Sequence, residues 1–407
     1  MTIPEQNSVD IAIIGAGLTG LLTAHGLKKH GFHVTVYEQE TSLTQRRRDW
    51  TIALHWALPI FKKLLPPSVV DNLPQAICNP YLDFNPDVEC LPCMNANTGE
   101  MLFKSPMPGS RRVSRQRIRQ LMTEGVDIRW GKRVSAIRSD NDTVQVEFDD
   151  GETVRADYVL GTDGAGSKVR DILYRNDEKA RAVPSGYYFA TAITRHNNAE
   201  RVEPVHSLHP VTMVFMGTDS VGAIGTMYVD DPEDKSTWTT FWVKIWRKGL
   251  ASFPDPPSST RSGQEALAYL KKTTKNGLAP FQNQIDWAPE DGSTVAFIDE
   301  MKTWTPFLPF DTHEGRVTLA GDAAHPMLVY RGQGFQHAIV DASNYVDALL
   351  KIQAGGDREE IFNAYNAEMV ERGAKAVEQS LKEAELSFDP ESILKMTMVR
   401  RGHGKLE

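Results

Sequence analysis

The chain has 407 residues, 41% hydrophobic and 24% charged, with a formal net charge of −8. This composition is globular and large enough for more than one core; the acidic balance argues against a nucleic-acid partner, and without a run of roughly eighteen apolar residues no membrane segment is expected. Three cysteines fit a reducing compartment, hence a cytoplasmic location, and Cys90 and Cys93 form a CxxC pair with no further ligands nearby, so no metal site is expected.

Residues 9–14 read as an apolar strand, followed by Gly15-Ala16-Gly17-Leu18-Thr19-Gly20, a helix over 21–27 and a second strand over 34–38. This is a βαβ dinucleotide fingerprint. Gly15 makes the turn, Gly17 admits a pyrophosphate, Gly20 lets helix and strand approach, and Glu38 is placed to accept hydrogen bonds from the adenosine ribose. The run Arg46-Arg47-Arg48 then abuts Asp49-Trp50 and an apolar block over 53–58. A charge run beside aromatic residues directs at least one arginine, Arg48, at phosphate or ribose. Residues 66–108 are rich in Pro and Asn and read as loops and short strands. Residues 113–122 read as a helix capped by Ser114, with Ile118, Leu121 and Met122 inward. Arg115 sits in its first turn, where the helix dipole disfavours a cation, which points to a ligand.

Alternating strands follow over 126–130, 134–138, 144–148 and 153–156, joined by polar turns, with Asn141-Asp142-Thr143 read as a turn rather than a glycosylation site. Residues 157–170 then give strand, Asp163-Gly164 turn and helix. Strands over 187–194, 211–216, 222–229 and 239–246 carry many aromatics and methionines, and a helix over 263–274 follows a Pro/Ser linker at 254–260. Such a sheet suggests an apolar pocket wall. An apolar strand then runs into Gly321-Asp322, whose carboxylate suits sugar hydroxyls. Gly332 and Gly334 open a helix with Phe335, Ile339, Ala342, Val346 and Leu349 at helical spacing, and its N-terminus suits a negatively charged group. A long helix covers 359–386, and the tail from Glu391 is short and basic at Arg400 and Arg401.

The glycine fingerprint at 15–20, Asp163-Gly164 and Gly321-Asp322, in this order, resemble the class A flavoprotein monooxygenases, aromatic hydroxylases with the para-hydroxybenzoate hydroxylase fold. The resemblance covers about residues 8–350, and the Arg48-Asp49-Trp50 and Arg331-Gly332-Gln333-Gly334 runs are similar to the fungal secondary-metabolite branch. It implies an α/β fold: a Rossmann-type, GR2-like FAD-binding domain, an inserted mixed β-sheet substrate domain and a long C-terminal helix. The expected division is 1–185 and 305–355 for FAD, 186–304 for substrate and 356–407 as a C-terminal helical segment.

Carried onto this chain, the resemblance implies that Gly15, Gly17, Leu18, Thr19, Gly20, Glu38 and Val134 contact the cofactor, with Arg48 and Arg115 near it. Asp163 lies in a motif linked to both FAD and NADPH, Asp322 binds the ribityl chain, and Pro326 lies against the flavin ring. Gly332, Gln333, Gly334 and Phe335 lie at its pyrimidine edge. The family often carries Asn after the second glycine turn; here the residue is Gln336, a longer amide. The implied reaction is an FAD-dependent one that consumes NADPH or NADH and inserts one atom of O2 into an aromatic or alkene-containing small molecule through a C4a-hydroperoxyflavin, in secondary metabolism. The alternatives are a Baeyer–Villiger or other flavin oxidoreductase of the same fold, or a non-redox enzyme with structural FAD. A single GxGxxG fits a nicotinamide that visits transiently. His55 is a candidate base, and Tyr330 and Arg331 are candidate substrate contacts. The expected partners are a small-molecule substrate and O2, and the expected state is a monomer or homodimer.

Overall fold

A computed structural model describes residues 9–45, 48–140, 142–275, 277–389 and 392–404; Arg46, Arg47, Asn141 and Glu391 lie outside the described residues. The chain opens with β1 (Asp10–Ile14), α1 (Leu18–Lys28) and β2 (His33–Glu38). The helix starts inside the glycine fingerprint, so Leu18, Thr19 and Gly20 form its first turn rather than a loop before it. β3 (Thr51–Leu54), α2 (Leu58–Leu64) and α3 (Pro67–Asp71) follow. Next come β4 (Cys90–Asn95), β5 (Met101–Pro106), β6 (Arg111–Ser114) and α4 (Arg115–Thr123). Ser114 caps α4 as expected, its Oγ accepting from the N–H of Arg117 at 3.0 Å.

β7 (Asp127–Trp130), β8 (Val134–Asp140), β9 (Thr143–Phe148) and β10 (Thr153–Ala156) lead to β11 (Tyr158–Gly161) and α5 (Lys168–Leu173). The middle of the chain supplies β12 (Val183–Arg195), α6 (Ala199–Leu208), β13 (Thr212–Met216), β14 (Ser220–Tyr228) and β15 (Thr239–Arg247). It continues with α7 (Gly263–Thr273), α8 (Phe281–Asp286) and β16 (Val295–Thr303). β17 (Val317–Leu319), α9 (Gly334–Gln353), α10 (Arg358–Leu386) and α11 (Thr397–Arg401) complete it.

The first sheet is parallel, in the order β17-β11-β1-β2-β7. Its strands read as apolar runs because helices cover them: Ile13, Val36, Val159, Leu160 and Val317 are all fully buried. The loops carrying Gly15, Asp163 and Asp322 leave the carboxyl ends of the neighbouring strands β1, β11 and β17, the edge where open α/β sheets bind ligands.

The second large sheet has the order β16-β12-β15-β14-β13-β4-β5. Its side chains alternate. Tyr188, Phe215, Trp242 and Trp246 pack on α7 and α8, whereas Phe189, Val214, Val243 and Phe297 point to the opposite face and line a cleft. This sheet corrects the sequence-based division of the chain. Residues 90–106, assigned to the cofactor part as loops and short strands, form β4 and β5 and extend the seven-stranded sheet, with β4 running parallel to β13. Pro92 and Pro106 hid them, because a proline removes a ladder donor from any sheet pattern. Among the described residues no helix is long and apolar enough to cross a membrane.

Candidate functional site

A cleft of 530 Å³ is lined from both large sheets. On the parallel-sheet side, Gly17, Leu18, Thr19, Thr162, Gly164 and Asp322 reach it. α1 starts at Gly17 with no side-chain cap, so its free N–H groups and positive dipole face the opening. The glycines divide the work. A Cβ on Gly20 would lie 2.1 Å from the carbonyl oxygen of Gly15, so this residue permits the packing of α1 on β1. A Cβ on Gly17 would meet nothing nearer than the carbonyl oxygen of Thr162 at 4.0 Å; the space it keeps free belongs to the cleft. The Thr162 hydroxyl donates to the carbonyls of Ile14 and Gly15, each at 2.9 Å, and locks the turn to the next strand.

Glu38 is buried at the end of β2, accepting from the N–H of Ala16 at 2.7 Å and of Glu40 at 2.9 Å. Asp163 caps α5, accepting from the Ser167 hydroxyl at 2.5 Å and the N–H of Lys168 at 2.7 Å. Burial pushes its carboxyl up despite these bonds. Asp322 faces the open cleft. The protein around it also pushes its carboxyl up, against the pull of His325, Arg115 and Arg170. Arg115 lines the same cleft, its guanidinium 4.6 Å from the centroid of Trp50. The N-terminus of α1, which no side chain caps, lies at one end of the cleft and the Asp322 carboxylate beyond it, a donor and acceptor set that suits a dinucleotide.

Several expected contacts lie elsewhere. Arg48 is bound to Asp299, its Nη1 donating to both carboxylate oxygens at 3.0 and 2.7 Å, and of this pair Asp299 lines the cleft. Val134 is a core residue paired with Phe148, its side chain away from the cleft. Pro326 is buried outside the lining, its carbonyl accepting from the N–H of Trp304 at 3.2 Å; Met327 and Leu328 reach the cleft instead. Gly332, Gly334 and Phe335 line the cleft, but the Gln333 amide turns away to Trp56 and to the carbonyls of Arg331 and His403. Gln336 does not reach the cleft. Its Oε1 accepts from the N–H groups of His55 and Ala57, each at 3.2 Å, and its Nε2 donates to the carbonyl of Ala53 at 2.7 Å.

His55 is 5% exposed and stands behind the glycine turn, its Nε2 3.2 Å from the carbonyl oxygen of Gly332. Burial lowers its pKa to about 4. It backs the turn from behind and is not among the residues that line the cleft. Tyr330 and Arg331 do line the cleft. Arg331 has a φ of +63°, and its Nη2 donates to the carbonyl of Gly404 at 3.0 Å.

Three contributors escaped the sequence reading. Arg170 is buried and its guanidinium bonds the carbonyls of Ala165 and Ala323, at 2.7 and 2.8 Å. It thereby ties the Asp163-Gly164 turn to the Gly321-Asp322 turn. The tail is a cleft wall: Met398 and His403 line it, and Ser105 holds the carbonyl of Met398 and Nδ1 of His403 at 2.9 and 3.0 Å. Arg112, on β6, lines the cleft. The arginine-bearing β6 pairs with β3 and lacks apolar alternation, so only the cleft it borders reveals it.

The chain matches the FAD binding domain family over residues 110–250 and 283–380, and the NAD(P)-binding Rossmann-like domain over residues 13–65. It is 31% identical to the FAD-dependent monooxygenase phnB of Penicillium herquei, covering 99% of this chain and 96% of that one. It is 33% identical to the FAD-dependent monooxygenase cctM of Talaromyces islandicus, covering 91% and 90%. Among solved structures, 2,6-dihydroxypyridine-3-hydroxylase from Arthrobacter nicotinovorans superposes with a TM-score of 0.72 at 18% identity, covering 98% of this chain and 94% of that one. CtdE in complex with FAD superposes with a TM-score of 0.75 at 17% identity, covering 95% and 91%. Glycine fingerprint, paired acidic turns, shared fold and full-length similarity agree: the chain belongs to the FAD-dependent monooxygenases.

Proposed function

We propose that this monooxygenase consumes NADPH or NADH and inserts one atom of O2 into an aromatic or alkene-containing small molecule of secondary metabolism. The observation that carries this reading is a single cleft lined at one end by the loops of the parallel sheet and at the other by the apolar face of the seven-stranded sheet. When bound, FAD supplies the redox and oxygen-activating chemistry.

The chain's own residues bind, orient and exclude water. Gly15, Gly17, Leu18, Thr19 and Gly20 would receive the pyrophosphate at the N-terminus of α1, and Glu38 the adenosine ribose. Asp322 and Arg115 would hold the ribityl chain and phosphates. Gly332, Gly334 and Phe335 would border the flavin ring at the start of α9, where no side chain caps the helix and its dipole favours negative charge. Residues 1–185 and 305–355, less β4 and β5, form the FAD part; 186–304 with those strands form the substrate part. Phe189, Phe241 and Phe297 make a dry wall for an apolar substrate, and a dry site strengthens every polar contact within it. Tyr330 and Arg331 border both parts and remain the residues to contact substrate. Free Cys78, Cys90 and Cys93 support action in the reducing cytoplasm.

The test uses FAD-loaded protein with NADPH, NADH and a panel of phenols, naphthols and alkenes under 18O2. Substrate-dependent NAD(P)H oxidation with one 18O atom in the product is expected. Nicotinamide oxidation indifferent to every compound, with no labelled product, defeats the reading.

A further inference from the structure

The Arg48-Asp49-Trp50 run holds one residue that the cofactor contacts above do not use. Asp49 is 3% exposed, and both of its carboxylate oxygens are engaged. Oδ1 accepts from the N–H of Trp50 at 2.8 Å and of Gln116 at 2.9 Å. Oδ2 accepts from the Ser114 hydroxyl at 2.7 Å and from the Tyr228 hydroxyl at 2.5 Å. The start of α4 is therefore fastened at this point. The N–H of Arg115 donates to the carbonyl of Trp50 at 3.0 Å, that of Gln116 to Asp49, and that of Arg117 to the Ser114 hydroxyl that Asp49 holds.

Arg115 is the first residue of that helix. Among the described residues no carboxylate pairs with its guanidinium, which rests on the ring of Trp50, 4.6 Å from the centroid. Asp49 thus holds both the backbone that carries Arg115 and the ring on which it lies. It also places negative charge at a helix N-terminus, where the dipole opposes a cation. Desolvation lowers the Arg115 pKa, as does Arg119, and Asp49 leads the carboxylates that raise it, ahead of Asp322 and Glu40. The Tyr228 hydroxyl arrives from β14, so the seven-stranded sheet is bound to the same carboxylate.

Resting on the placement of Arg115 at the cofactor proposed above, we infer that Asp49 is a positioning residue: it sets Arg115 for contact with FAD, and Tyr228 ties that setting to the seven-stranded sheet. A carboxylate offers two acceptor atoms to its four donors, whereas an asparagine in its place offers one.

FAD-loaded protein is diluted, and release of the flavin is followed by its fluorescence. Asp49→Asn and Arg115→Met should each speed release by about tenfold or more. The double variant should release FAD no faster than Arg115→Met alone, because Asp49 acts through Arg115. A merely structural role would speed release in either background. Tyr228→Phe leaves the carboxylate and its bonds to Trp50, Gln116 and Ser114 in place. It should speed release by a smaller factor in the wild type and by none in Arg115→Met. Should Asp49→Asn not fold, the Tyr228→Phe pair decides by the same rule. Wild-type release from Asp49→Asn overturns the inference, as does a double variant whose factor is the product of the single ones; either result leaves Arg115 at the cofactor. If Arg115→Met releases FAD as the wild type does, that placement itself falls, and the inference with it.

Discussion

The carboxylate of Asp341 and the imidazole of His325 are joined by a 2.7 Å hydrogen bond, both side chains fully buried. The same oxygen accepts from the N–H of Gly321 at 2.7 Å, and the other meets Nη2 of Arg372 at 2.5 Å. The turn that presents Asp322 is thus anchored to α9 and, through Arg372, to α10. Burial pushes the Asp341 carboxyl up, but the charges and hydrogen bonds of His325 and Arg372 outweigh it and hold the group well below the ordinary carboxylate range. Asp341→Ala removes the buried partner of His325 and leaves Arg372 with Glu368 alone, and should cost about 3–5 kcal/mol. Urea unfolding gives the cost, and flavin absorbance should show weakened FAD retention in the folded fraction; unchanged values in both would remove the anchoring role.

Stability should fall on mild acidification. Burial lowers His55 to about 4, and His337 and His403 to about 3, from an ordinary value of 6.5. Between pH 6.5 and about 3 the unfolded chain takes up protons that the folded chain refuses. Each histidine therefore contributes stability that is intact above pH 6.5 and drains away as pH falls, at up to about 1.4 kcal/mol per pH unit. Asp341 adds its own loss only below about pH 4, where carboxylates protonate in the unfolded chain. Denaturation midpoints at pH 7.5, 6.5 and 5.5 should decline progressively, and less steeply in His403→Gln. A flat profile over this range is the contrary result.

Two glycines of the fingerprint should fail differently. Gly20→Ala drives a methyl into the carbonyl of Gly15 and should destabilise or misfold the protein. Gly17→Val places its bulk in the open cleft, so the fold should persist while FAD is lost. Circular dichroism with flavin content separates the two; a Gly17→Val protein that keeps its flavin contradicts the assignment.

Gln336 ties α9 to the segment of residues 53–57 by three hydrogen bonds. Gln336→Leu strands buried backbone groups and should cost about 2–4 kcal/mol. Gln336→Asn, one methylene shorter, should lose much of the same stability because it cannot span the gap. Thermal unfolding of both variants decides this, and near-native behaviour of Gln336→Asn counts against the clamp.

Arg48→Ala should change stability by no more than about 1 kcal/mol, since its ion pair with Asp299 is well exposed on both sides. Its FAD content should stay at the wild-type level. Substantial flavin loss in this variant would restore Arg48 to the cofactor contacts expected from its place in the arginine run.

The parts of the site that were legible in the sequence are those whose signal is local. Glycine spacing, an apolar strand before each turn and a helix after it marked residues 15–20, 163–164 and 321–322, and the parallel sheet brings their loops to one edge. Runs rich in aromatics and methionines likewise marked β12 through β15. What stayed hidden depends on partners distant in sequence. The Gln336 side chain is defined by residues 53–57, 279 to 283 positions away. His55 looked like a candidate base because its flanking apolar residues do not reveal which wall of the cleft it stands behind. Arg112 sits in a short strand of mixed character, where no periodicity separates a surface arginine from one facing a pocket. The tail read as a basic appendage because two arginines outweighed Met398 and His403, the residues that line the cleft.

The strand order β17-β11-β1-β2-β7 also governs how the molecule is made. β1 and β2 leave the ribosome before their other sheet partners, and the free edge of β1 waits for β11, and that of β11 waits for β17, near residue 319. Parallel pairings between such distant segments form slowly and leave strand edges open in the meantime. The nascent chain therefore carries an unfinished sheet until β17 emerges. The cofactor pocket matures last, so a supply of flavin late in synthesis should do more for the yield of folded protein than the same supply early.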